Sequence, residues 1–236
     1  MPDFSNPYYP YERPIPGFLR YRGISEIPGK LIRYLLDLPD AKGYTPFDDN
    51  ERPRVRLAKL LWYDGAKPLE QALPTPEEKL SMLWNGSESV LNTDEQKRKH
   101  PKGYRIFGQT FWLPAQFTAG SFIKVYTGRI LPYSDLETEI GIEIEVGVNY
   151  ALDNNMKTAS YSRVVEISEA LLDALHGVDV AGVGGLTFNR RLHMDAGSHT
   201  WHDDGTNIGW TIGFSTTWIE SGTQTVTDNC GWCGNG

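Results

Sequence analysis

Apolar positions along this chain follow two different periods. Up to about residue 85 they recur every three or four residues, and beyond residue 104 they mostly alternate. Ile27, Leu31, Ile32, Leu35 and Leu36 share one helical face, and Pro39 requires the helix to stop before it. Arg54 to Trp62 reads as a second helix, ended by Tyr63-Asp64-Gly65. A third has a capping-box start, with Thr75 as N-cap, Pro76 at the first helical position and Glu78 three residues after the cap. Leu80, Leu83 and Trp84 are its expected buried stripe, and Asn85-Gly86 its stop.

The later pattern predicts strands. Tyr104 to Leu113 and Ser121 to Leu131 are rich in aromatic and β-branched residues, and Glu139 to Val148 alternates polar with apolar, as a strand with one buried face does. Helical spacing returns from Thr158 to His176, where Tyr161, Val164, Val165, Ile167, Ala170, Leu171, Ala174 and Leu175 form a wide apolar face ended by Gly177. Gly182, Gly184 and Gly185 turn into a strand at Leu186 to Leu192, and a polar loop, Asp195 to Asp204, leads to a last strand, Thr206 to Ile219. The order predicts an α+β fold: an antiparallel or mixed sheet with one long helix packed on it and one face left uncovered.

Residues 1–23 carry five prolines interleaved with Tyr8, Tyr9, Tyr11 and Phe18. Proline fixes φ and removes donors, so this is an extended Pro/Tyr-rich arm. Either it lies over its own domain, or it docks on a neighbouring subunit with those rings as anchors. The expected organisation is arm 1–23, a short helical region and loop 24–102, an α+β domain 103–221, and a flexible tail 222–236.

Composition narrows the function. A chain of 236 residues with 12 Tyr, 9 Phe and 7 Trp folds around a core of its own. No apolar run is long enough to span a membrane, and the first twenty residues lack the basic and apolar regions of a secretory leader. Of the net charge of −7, residues 1–100 contribute nothing (15 basic, 15 acidic), and residues 101–236 contribute all (8 basic, 15 acidic). That bias is opposite to one that grips nucleic-acid phosphate.

No common catalytic signature is present, and the chain is expected to be no enzyme and to need no cofactor. Gly182-Val-Gly-Gly runs from helix to strand, the reverse of a phosphate loop. His193, Asp195, His199, His202, Asp203 and Asp204 crowd together, but read as turn chemistry as readily as metal ligands. Cys230 and Cys233 form a thiol pair in the tail, or a local disulfide, or half of a zinc clip completed by His199 and His202. Glu143 and Glu145 line one outward strand face with Glu139; they read as solvated surface, or as a surface that repels DNA.

Tyr161 to Arg191, with Asp204-Gly-Thr-Asn-Ile-Gly-Trp-Thr-Ile-Gly213 as closing strand, resembles neck proteins of tailed bacteriophages, in particular the tail-terminator or tail-completion group. The likeness spans about 120 residues, Tyr104 to Glu220, as a pattern of residue types. It implies a structural virion protein at the head–tail junction: a homo-oligomeric ring, commonly six-fold, that caps the tail tube, joins the head connector or stopper protein, and lets DNA pass through its lumen. The ring would be assembled in the host cytoplasm. Glu139, Glu143 and Glu145 would then face that lumen. Another neck or tail-tube component is the neighbouring reading. A carbohydrate- or surface-binding module and a metal-dependent hydrolase are the readings from other classes.

Overall fold

The structure, a computed structural model, describes residues 21–36, 52–84, 103–108, 120–132, 137–155, 162–189 and 207–219. Its helices are α1 (Tyr21–Ser25), α2 (Ile27–Leu35), α3 (Pro53–Trp62), α4 (Pro76–Ser81), α5 (Tyr150–Asn155) and α6 (Arg163–Leu175), with a 3-10 turn at Pro68–Glu70. Its strands are β1 (Ile106–Phe107), β2 (Ser121–Pro132), β3 (Glu137–Asn149), β4 (Asp179–Val180), β5 (Gly184–Gly185), β6 (Thr187–Phe188) and β7 (Asn207–Ile219).

Local chemistry sets the helix ends. At α4 both halves of the capping box form: the Glu78 amide donates to Thr75 Oγ1 at 3.2 Å, and the Thr75 amide donates to Glu78 Oε2 at 2.8 Å. Ser162 is the extended N-cap of α6, accepting from the Val165 amide at 3.4 Å, while Asp153 Oδ1 accepts from the Val164 amide at 3.1 Å. Helix α6 therefore begins at Arg163, later than the Thr158 start expected from the apolar spacing. After it, Gly177 adopts φ 74°, a conformation that only glycine takes without strain, and its amide donates to Leu186 O at 2.8 Å.

The five-stranded sheet has the order β1-β2-β3-β7-β6. Strand β1 runs parallel to β2 and the other pairs are antiparallel, so the sheet is mixed. On β3 the even-numbered positions Ile140, Ile142, Ile144, Val146 and Val148 are fully buried. They sit in register with Ile123 and Val125 of β2 and with Ile212 and Phe214 of β7. Helices α2, α3 and α6 cover this face, and Leu31, Leu35, Leu57, Leu60, Ile167 and Leu171 join the strands in one apolar core. Each such side chain contributes about 1.5–3 kcal/mol on burial. The core draws on residues both before and after position 102.

Two further local readings differ from the structure. Leu80, expected in the buried stripe of α4, is 54% exposed, whereas Met82 is fully buried. The helix ends at Ser81, and Leu83 then bridges to Ile106 as extended chain, so 80, 83 and 84 never share a helical face. After the β4–β5 hairpin, the strand read from Leu186 is described only at Thr187–Phe188. Helix α5 has no counterpart in the sequence reading. The Pro/Tyr-rich arm with Tyr8, Tyr9, Tyr11 and Phe18 lies outside the described residues. Among the described residues no helix is long and apolar enough to cross a membrane.

Candidate functional site

The odd-numbered residues of β3 and their register partners form the sheet face opposite the helices. Across it, Lys124 of β2 faces Glu145, Tyr126 faces Glu143, and Phe122 faces Gly147. On the other side of β3, Thr211 faces Glu145, Gly213 faces Glu143, Ser215 faces Gly141 and Thr217 faces Glu139. From Asn207 to Thr217 no β7 residue in that row is larger than threonine or asparagine. The face is therefore uneven, with long side chains over β2 and β3 and a low floor along β7.

Each of the three glutamates singled out from the sequence sits on this face, and each is held by a lateral donor. Lys124 Nζ donates to Glu145 Oε1 at 2.8 Å, with only 10% of the Lys124 side chain and 19% of the Glu145 side chain exposed. Tyr126 hydrogen-bonds Glu143, and burial, followed by the charges of Glu143 and Glu145, pushes its phenol pKa well above the usual value. Asn189 Nδ2 donates to Glu139 Oε1 at 2.9 Å. The reading of Glu143 and Glu145 as solvated carboxylates is thereby corrected: both are half-buried and laterally engaged. The partners of Glu143 and Glu145 come from β2, so those side chains lean away from β7 and leave its floor low.

A second polar cluster lies inside the molecule, where the end of α3 meets β1 and β2. The Arg163 side chain is fully buried, and its guanidinium donates to Leu60 O at 2.7 Å, Gly65 O at 3.2 Å and Tyr63 O. Leu60 O and Tyr63 O belong to the end of α3, where the helix leaves carbonyls unpaired and its dipole favours a cation, and Gly65 O lies in the chain just beyond it. Burial lowers the Arg163 pKa to about 10; Asp64 opposes that shift and Arg105 adds to it. Arg105 donates to Asp64 Oδ2 at 2.8 Å and to Ser121 O at 3.5 Å. The cluster fastens the end of α3 to α6 and to β2.

Sequence reasoning missed Lys124, Tyr126, Arg105 and Arg163. For Lys124 and Tyr126 a signal existed, since their alternation with Ile123 and Val125 places them on the polar face beside the glutamates. His199, His202, Cys230 and Cys233 lie outside the described residues, as do His193, Asp195, Asp203 and Asp204. Among the described residues no group of three or more His, Cys, Asp or Glu is placed to hold a metal ion.

Compared with protein-family models, with curated proteins and with solved structures, the chain matches none of them.

Proposed function

We propose that this chain is a non-enzymatic structural subunit of the tailed-phage head–tail junction, a ring-forming tail terminator that caps the tail tube and meets the head connector. The reading rests on the resemblance of Tyr161 to Arg191 to that group. One structural observation supports it: among the described residues helices cover one face of the sheet, and the other face is polar, with Glu139, Glu143 and Glu145 held by lateral partners. A subunit with two unlike faces can associate head to tail, the kind of contact from which closed rings are built. DNA would pass through the ring without being gripped, in keeping with the acidic excess of residues 101–236.

Deletion of the coding sequence tests the reading. The expected product is filled heads and separate, complete tails that join when the purified chain is added. Normal joined particles from the deletion would refute it.

A further inference from the structure

Three buried polar atoms where α3, α6 and β2 meet have no hydrogen-bond partner among the described residues: Asp64 Oδ1, Ser121 Oγ and Arg163 Nε. Ser121 and Arg163 are fully buried. Asp64 keeps this one oxygen covered although its side chain is 37% exposed. A buried polar atom without a partner has lost its hydration with nothing in return, and native folds rarely leave one so. Three at one joint point to a ligand that they share.

The three residues belong to one network. Arg105 connects two of them, donating to Asp64 Oδ2 at 2.8 Å and to Ser121 O at 3.5 Å. Arg163 reaches the same place, because Tyr63 O and Gly65 O, which accept from its guanidinium, flank Asp64 in the chain. The charges of Asp64 and Arg105 both act on Arg163. None of the three atoms can turn to another without a loss elsewhere. Arg163 is tied to carbonyls through both terminal nitrogens, Asp64 to Arg105 through Oδ2, and Ser121 is fixed opposite Val148 by the β2–β3 register.

The chemistry of the set selects the ligand. Nε–H only donates, the carboxylate oxygen only accepts, and the hydroxyl does either. A halide would satisfy Arg163 Nε and Ser121 Oγ but would face Asp64 Oδ1 as a like charge. A cation would satisfy Asp64 Oδ1 but would face the guanidinium groups of Arg105 and Arg163. Water donates to the carboxylate, accepts from Nε–H and bonds the hydroxyl in either sense, and about three such bonds are what a buried water usually makes. We propose that Asp64 Oδ1, Ser121 Oγ and Arg163 Nε bind one internal water molecule, which links the chain just after α3 to the first residues of α6 and β2. The site is independent of the head–tail junction reading.

Nuclear magnetic resonance of the full chain, labelled with nitrogen-15, tests it. The Arg163 Nε–H resonance should exchange slowly and show a cross-relaxation peak to water, with the sign given by a long-held molecule. Ser121→Ala removes one of the three partners without adding bulk. It should fold and shorten the residence of that water by about tenfold, the effect of one lost hydrogen bond, read by relaxation dispersion of the water oxygen-17 signal. A folded wild-type chain with no water peak at Arg163 Nε–H would overturn the proposal. So would a residence time unchanged by Ser121→Ala, since the hydroxyl would then not touch the water. An Arg163 Nε–H resonance that shifts when bromide replaces chloride in the buffer would also overturn it, in favour of a halide. Should Ser121→Ala fail to fold, the wild-type water peak and the bromide exchange still decide the matter.

Discussion

The guanidinium of Arg105 occupies the space where a side chain on Gly120 would begin, so that a Cβ built there overlaps it. Arg105 cannot readily withdraw, because Asp64 and Ser121 O hold it and its side chain is only 5% exposed. Gly120→Ala should therefore destabilise the fold by about 1–3 kcal/mol, the usual cost of overpacking a tight site. Thermal or denaturant unfolding measures it. A variant as stable as the parent would show that the Arg105 side chain is free to move.

Arg163 should be intolerant of substitution. Arg163→Met removes the donor to three carbonyls at and just after the end of α3 and leaves Asp64 without its charge, and a loss of about 3–5 kcal/mol is expected. Hydrogen exchange should show α3 and the start of α6 opening together in the variant. Unchanged protection of Leu60 to Tyr63 would contradict the role given to this side chain.

Tyr126 and Arg163 make opposite predictions for alkaline pH. Tyr126 is an acid whose pKa rises on folding. Between pH 10 and its folded value the native chain binds the extra proton, so stability from this group falls as pH rises. Arg163 is a base whose pKa drops on folding from its ordinary value to about 10. Between those values the unfolded chain binds the extra proton, and the contribution of this group rises with pH. The tyrosine effect can be isolated by ultraviolet absorbance titration. Native protein should show a tyrosine that ionises late, and Tyr126→Phe should remove that late amplitude while leaving the rest. An unchanged late amplitude would show that the hydroxyl is not held as described.

Leu80 and Met82 give a comparison within one turn of chain. Leu80→Lys should change stability by no more than about 0.5 kcal/mol, because the side chain is 54% exposed. Met82→Ala should cost about 2–5 kcal/mol, because that side chain is fully buried. Similar losses at both positions would restore the apolar stripe read from the sequence.

That comparison also shows which features were legible beforehand. Thr75, Pro76 and Glu78 announce α4 because capping chemistry is local, and the alternation of β3 announces its buried face because strand period is local too. The stripe of α4 was misread because its end is set from afar, by Leu83 pairing with Ile106. Likewise, nothing near Arg163 in the sequence says that it will be buried. Its acceptors lie 98 to 103 residues away, and only the packing of α3 against α6 brings them together. The glutamates were located correctly on one strand face, but their lateral partners depend on β2 register and on Asn189, which no spacing rule reveals.

Cryo-electron microscopy of purified virions tests the central claim most directly. The account predicts a closed ring of this chain between the head connector and the tail tube, with density for the α+β sandwich repeated around the axis of the DNA. Virions that lack the chain, or that carry it as isolated single copies away from that axis, would contradict it.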